Sequence, residues 1–275
     1  MLVSIYIPTR NRLKLLRRAI ESIKFQTYHS IEIIVVDDGS EDGTREYLAQ
    51  EMKDGSLVAI FHEKSLGACA ARNAAIKYSH GKFVTGLDDD DYFLSNRRIE
   101  YFIEKWKSIG SDVAGIFDSV KVKSASGTLE KNCSKEVSYK ELRQANLVGN
   151  QVFAPRDNYL NADLFDTEMP AWQDWDLWLR MSEKYGNFIN INKSTYLLDE
   201  LHDVERITTR NEINIRMAMS RLSLKIKKIN FKEKSSLIVS MHAYPQVKPT
   251  IKEIFILVLA FRLETVLRSI RKMLA

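Results

Sequence analysis

A chain of 275 residues, 45% hydrophobic and 28% charged, has the length for one large domain or a domain with an appendage, and the composition of an ordinary globular protein. Two cysteines, Cys69 and Cys133, without a Cys-X-X-Cys pair argue against a disulfide scaffold or a structural zinc and for a reducing compartment. The net charge of +5 hides a division: from Val204 onward 15 Lys and Arg oppose 5 Asp and Glu, so the tail calls for an anionic partner, a nucleic acid or a membrane surface.

The opening MLVSIYIPTRNR has no basic leader and a short apolar run, so it is not expected to be a signal peptide. Within it VSIYIP (3–8) is β-branched and apolar and predicts a buried strand. Apolar residues at helical spacing predict a helix over 13–25, followed by a second buried strand, EIIVVDD (32–38). A short helix (44–52), a strand LVAIFHE (57–63), an Ala-rich helix (67–78) and a strand KFVTGLD (82–88) continue the alternation. Apolar strands alternating with helices indicate an α/β fold with a parallel sheet covered on both faces, whose ligands bind at the carboxyl ends of the strands. Further on, 113–122 and 127–131 form a hairpin around SASG, 139–145 is helical, 149–155 is a strand, 171–186 is an amphipathic helix and 188–192 is a strand. After Ile207 the chain reads helical and basic, with a break near Pro245 and Pro249, and no segment offers the ~18 apolar residues of a membrane span.

The strand ends share one character. Pro8-Thr9-Arg10-Asn11 follows the first, Asp37-Asp38-Gly39-Ser40 the second, His62 the third, and Asp88-Asp89-Asp90-Asp91 the fourth. Adjacent carboxylates repel, so such a cluster is costly unless a cation holds it. Mg²⁺ typically takes one or two carboxylates plus substrate phosphates, which makes the cluster a metal seat for a diphosphate. The alternative is a solvated acidic turn.

Five segments, VSIYIPTRNR, VVDDGSEDGT, LGACAARNAAI, GKFVTGLDDDDY and WQDWDLWLR, resemble in order and spacing the family 2 glycosyltransferases, over residues 2–210. The resemblance implies the GT-A fold, a Rossmann-like, mostly parallel nucleotide-binding sheet, and inverting transfer of a sugar from a nucleotide sugar, usually UDP-linked. By this match Pro8, Thr9 and Arg10 line the nucleobase; Arg10 stands where many relatives carry an aromatic ring, and a guanidinium also stacks on a base. Asp38 matches the residue contacting base or ribose, with Asp37 bracing the loop. Arg72 lies near the nucleotide or the acids. The family's Asp-X-Asp motif falls on Asp88-Asp89-Asp90, with Asp90 the ligand of Mn²⁺ or Mg²⁺ and Asp88 or Asp89 facing the ribose. Asp174 matches the general base, although Gln173 replaces the usual Glu before it. The alternative for Asp174 is an acid favoured by the helix dipole, as for Asp176. Trp172 is placed to stack on an acceptor sugar, while Trp175 and Trp178 are core. His202 matches a histidine that reaches the metal or diphosphate in some relatives, the alternative being a loop histidine; Arg206 nearby is a candidate to help hold the pyrophosphate, the alternative being a surface charge.

The expected division is a nucleotide-sugar-binding half (1–110), an acceptor-binding half (111–207) and a helical basic extension (208–275). Glucose or galactose is the expected sugar, from a UDP donor to a polyprenyl diphosphate-linked or oligosaccharide acceptor in surface polysaccharide (O-antigen or capsule) synthesis. Processive synthases share the first half but add membrane spans and a QxxRW motif, which this sequence lacks. A sugar-phosphate nucleotidyltransferase would want a Gly-rich basic loop after the first strand, and a non-catalytic sugar-nucleotide-binding module is a third reading. A nucleic-acid partner is not expected, because it leaves the acidic strand ends unexplained. Residues 251–274 read as a helix with an apolar side margined by Lys252, Arg262, Arg268, Arg271 and Lys272. Such a helix attaches peripherally to the cytoplasmic face of an anionic membrane; the alternative is packing on the protein's own core or on a second subunit of a homo-oligomer.

Overall fold

The computed structural model describes residues 1–109, 112–131, 134–201 and 211–274. In chain order its first half runs β1 (Val3–Thr9), α1 (Leu13–Lys24), β2 (Ile31–Asp37), α2 (Thr44–Lys53), β3 (Val58–Phe61), α3 (Ala68–Tyr78), β4 (Phe83–Gly86), β5 (Tyr92–Phe93) and α4 (Arg98–Ser108). Then come β6 (Val113–Ser124), β7 (Gly127–Lys131), β8 (Glu136–Val137), α5 (Tyr139–Leu142), β9 (Ala154–Pro155), α6 (Arg156–Asn161), α7 (Gln173–Tyr185) and β10 (Asn187–Asp199). Four helices close the chain: α8 (Glu212–Lys225), α9 (Phe231–His242), α10 (Ile251–Leu259) and α11 (Leu263–Leu274).

The main sheet has the order β3-β2-β1-β4-β9, parallel except for the antiparallel edge strand β9. Period-2 alternation sends Val3, Ile5, Ile7, Ile33 and Val35 to one face, against Leu16 and Ile20 of α1. Tyr6, Ile34 and Val36 go to the other, against Ala71 and Ala75 of α3. Both faces are therefore apolar, as a parallel sheet between helices requires, and each large side chain so buried contributes about 2 kcal/mol.

A second sheet, β5-β10-β6-β7 with β8 also on β10, is built on the parallel pair β6 and β10. It joins the first through an antiparallel bridge between Ile116 and Phe153. Fully buried Arg98 of α4 ties it further: one guanidinium nitrogen donates to Asp118 of β6 and to Thr195 Oγ1 of β10, and its face lies 4.7 Å from the centres of the Phe93 and Phe102 rings.

Several elements differ from the sequence expectation. The strand expected over 149–155 shrinks to β9, because Gly149 takes a positive φ of 100° and Asn150 and Gln151 donate or accept through their side chains instead. The strand expected over 188–192 runs on to Asp199, past a register shift where Asn192 adopts φ 56°. The tail is two helices rather than one. Phe261 is left-handed (φ 56°), and its N–H donates to Val258 O while that of Arg262 donates to Leu257 O. This is a Schellman stop without the usual glycine, so the sequence carried no punctuation for it.

Candidate active site

The carboxyl ends of the parallel strands open onto a cleft of about 940 Å³. Its lining includes Pro8, Thr9, Arg10, Asp38 and the aspartates 88–91, together with Trp172 and Asp174 at the start of α7 and Ser240 and Tyr244 at the end of α9.

No base lies near the four aspartates in sequence, but the fold delivers arginines to them. Arg72 of α3 places Nη2 2.8 Å from Asp88 Oδ1, and Asn150 donates to the other oxygen at 3.1 Å. Burial works against charge at Asp88, yet Arg72 and Asn150 hold its carboxyl below the usual value. Asp89 accepts from Thr9 Oγ1 at 2.8 Å and from Arg12 Nη1 at 2.9 Å. Burial nevertheless pushes its pKa up to about 6. The same Arg12 nitrogen reaches Asp90 Oδ2 at 3.1 Å, and Arg18 donates to the Asp90 carbonyl. Asp91 is stitched to β10, accepting from the Tyr196 hydroxyl at 2.8 Å and the Asp199 N–H at 3.0 Å. Burial, with the charges of Asp88 and Asp90, raises its pKa well above the carboxylate range.

At the end of β2, Asp37 is fully buried and accepts from the Ser40 N–H and from Arg45 Nε at 2.9 Å. Asp38 lines the cleft but is also a brace. It pairs with His62 Nδ1 at 2.7 Å and accepts from Ser65 Oγ and from the N–H groups of Leu66 and Gly67. Burial opposes its charge, and these bonds outweigh it and lower the pKa. Thr9 is turned onto Asp89, whereas Arg10 is exposed at the cleft edge.

Asp174 sits in the first turn of α7, half-buried, and accepts from Asn146 Nδ2 at 3.0 Å. Burial raises its pKa; the Trp175 N–H and the Arg72 charge pull it partly back. Asp176 differs: it is fully buried between Arg180 Nη2 and Lys225 Nζ, each at 2.7 Å, and so ties α7 to α8. Trp175 and Trp178 are buried, their indole N–H groups donating to the carbonyls of Leu142 and Gly149. Trp172 caps α7 in a left-handed conformation (φ 58°) and donates from Nε1 to the Tyr244 hydroxyl at 3.0 Å. His202 and Arg206 lie outside the described residues.

Arg12, Asn146, Asn150, Tyr196 and Tyr244 are site neighbours that sequence reasoning passed over. Arg12 alone had a signal, the second arginine of PTRNR; the others gain their place only through tertiary contacts.

The donor set suits a hard divalent cation. Among the described residues no group of three or more His, Cys, Asp or Glu forms a metal cage. A cation that binds through one or two carboxylates and completes its shell with phosphate and water needs no such cage, and Asp88 and Asp90 offer carboxylates at the cleft.

Comparison with known proteins identifies the family and the fold. The model of Glycosyl transferase family 2 matches residues 4–162. The chain is 34% identical over 213 residues, 76% of this chain and 76% of that one, to the putative colanic acid biosynthesis glycosyl transferase WcaA of Escherichia coli (strain K12). Over 96 residues, 35% of this chain and 38% of that one, it is 38% identical to the UDP-Glc:alpha-D-GlcNAc-diphosphoundecaprenol beta-1,3-glucosyltransferase WfgD of Escherichia coli. Among solved structures, S. aureus TarS in complex with UDP-GlcNAc superposes with a TM-score of 0.66 at 16% identity, covering 99% of this chain and 89% of that one. The mannosyltransferase PcManGT of Pyrobaculum calidifontis, in complex with GDP-Man and Mn²⁺, superposes with a TM-score of 0.57 at 15% identity, covering 99% and 86%. The chain thus belongs to glycosyl transferase family 2 and is a glycosyltransferase of the GT-A fold.

Proposed function

We propose that the chain is an inverting, divalent-metal-dependent hexosyltransferase. It moves glucose or galactose from a UDP-sugar to a hydroxyl of a polyprenyl diphosphate-linked sugar in lipopolysaccharide O-antigen or capsule synthesis. One observation carries this reading: Asp88–Asp90 and Asp174 line the same cleft, the former held by Arg12 and Arg72, the latter raised in pKa. The names of the relatives support the substrate classes, UDP-Glc and a diphosphoundecaprenol-linked sugar in one case and colanic acid in another.

In this reading residues 1–110 hold the donor, 111–207 the acceptor, and 208–275 form the extension. Pro8, Thr9 and Arg10 receive the base, with Arg10 free to stack on it. Asp38 keeps the β3–α3 loop in shape beside the base or ribose. Asp88 or Asp89 faces the ribose, and Arg72 fixes Asp88. Asp90, with His202 where it reaches, holds Mn²⁺ or Mg²⁺, which supplies countercharge to the departing diphosphate; Arg206 adds to that countercharge. Asp174 removes the acceptor hydroxyl proton as attack proceeds. A raised pKa strengthens it as a base. Single displacement then inverts the anomeric centre.

The extension supports attachment to the cytoplasmic face of an anionic membrane. No helix among the described residues is long and apolar enough to cross one. Yet α10 and α11 leave apolar side chains facing out, with Ile251 78%, Phe255 62% and Leu267 60% exposed, while α11 packs inward through Val266 and Ser269. Arg268 and Arg271 are exposed on the same helix, whereas Lys272 donates to the His242 and Tyr244 carbonyls and Arg262 to Ser236 rather than standing at the margin. An outward apolar face margined by cations is what a headgroup region binds.

The test is a donor screen with Mn²⁺ and a GlcNAc-diphosphate-undecaprenol acceptor, with the product's anomeric configuration read by NMR. Transfer from UDP-glucose or UDP-galactose with inversion is expected. Retention, or full activity in EDTA, would overturn the mechanism.

A further inference from the structure

We infer that the C-terminal extension completes the acceptor wall of the cleft, with Tyr244 as a positioning residue that holds the Trp172 indole beside Asp174. The inference rests on the acceptor reading of that wall.

Trp172 occupies a left-handed backbone position two residues before Asp174. A bulky residue keeps such a conformation only where its surroundings over-determine it. The surroundings are visible. The Trp175 ring lies 4.9 Å away, and Tyr244 lies 6.5 Å away and accepts the indole N–H at 3.0 Å. The Tyr244 hydroxyl is also near enough to Asp174 to feel its charge, which adds to burial in raising the phenol pKa.

Tyr244 is itself anchored from further along the chain. Lys272 Nζ of α11 donates to the carbonyls of His242 and Tyr244, both at 2.8 Å. A cation on the last carbonyls of a helix is favourably placed. His242 is buried and pinned between Ser269 Oγ of α11 (2.9 Å) and Glu253 of α10 (3.1 Å). A continuous set of contacts thus runs from the outward-facing helices through Lys272 and Tyr244 to Trp172. These helices lie beyond the 4–162 segment that defines the family. Tyr244 acts through Trp172, which is 6% exposed but lines the cleft; it fixes the indole edge that this wall presents to an acceptor sugar, and takes no proton.

The experiment uses the full-length chain labelled with 5-fluorotryptophan, with the Trp172 resonance assigned from Trp172→Phe. Tyr244→Phe keeps the ring and removes the accepting oxygen; Lys272→Met removes the anchor. Both are expected to shift or broaden the Trp172 line and leave the Trp178 line in place. With UDP-glucose and GlcNAc-diphosphate-undecaprenol, acceptor KM should rise about three- to tenfold, the worth of one neutral hydrogen bond, with UDP affinity unchanged. Packing alone would lower Tm without that split. An unmoved Trp172 line in both variants overturns the inference whatever turnover shows, as does a moved line with unaltered acceptor KM. Failure of the wild type to transfer would count against the proposed function instead, and the fluorine spectra would still decide this point.

Discussion

Arg12 Nη1 lies 2.9 Å from Asp89 Oδ1, an ion pair between residues 77 positions apart that lets adjacent carboxylates coexist at a strand end. The same nitrogen serves Asp90 at 3.1 Å. Arg12→Met should lower stability by about 3 kcal/mol, because removing one partner of a largely buried pair leaves the other charge uncompensated. It should bind Mn²⁺ more tightly, having lost a competing cation, and turn over more slowly, having lost the geometry. Mn²⁺ titration followed by electron paramagnetic resonance, with Tm alongside, checks both; weaker Mn²⁺ binding would show that Arg12 organises the carboxylates for the metal rather than competing with it.

Asp90→Asn should abolish transfer, and chelation of wild type should reproduce the loss. Asp91→Ala should behave differently. Its carboxyl serves Tyr196 and the Asp199 N–H, so the variant should melt earlier while its Mn²⁺ affinity stays within a few-fold of wild type. Equal loss of metal binding in both variants would place Asp91 in the metal seat.

Asp174→Asn keeps size and the Asn146 contact but cannot take a proton. Turnover should fall by about two orders of magnitude, in the range of general-base contributions, with UDP binding intact. The wild-type rate should decline on the acid side at a pH above the ordinary carboxylate value, since burial raises this pKa. The same shift has a stability sign. Between the unfolded and the raised folded pKa the native state holds more protons, so stability falls as pH rises through that interval. Asp174→Asn should therefore melt higher than wild type at neutral pH, and the difference should vanish in acid. A lower Tm at neutral pH would contradict the burial argument.

The first half of the molecule was legible because its elements advertise themselves. Continuous β-branched runs such as IEIIVVD have one stable home, a sheet covered on both faces, and the polar residues that break them mark the ligand edge. The site was legible only as far as its chemistry was local. The aspartates stand together in sequence, but what neutralises them does not, for Arg12 comes from the cap of α1 and Arg72 from within α3. Asp38 illustrates the same limit: its neighbours in sequence gave no sign that His62, Ser65 and two backbone N–H groups would occupy it. The tail was misread as one helix because a phenylalanine, not a glycine, makes the left-handed stop.

Phe255→Ser with Leu267→Ser should reduce flotation with anionic liposomes at low salt and leave turnover on a water-soluble acceptor near wild type. Both side chains point outward, so stability should change little. Flotation unaffected by the pair, or a wild-type chain that ignores the liposomes and elutes as a dimer, would assign the stripe to a second subunit.

The stitching of Asp91 to Tyr196 and Asp199 also bears on biosynthesis. The aspartate loop is specified early in the message but is fastened by a strand that ends more than a hundred codons later. A nascent chain that has exposed all four aspartates still lacks the clamp that shapes them. The loop thus cannot take its final shape while the ribosome is translating its own motif. Donor-binding competence should appear late and abruptly, once residue 199 has cleared the exit tunnel, rather than grow with chain length.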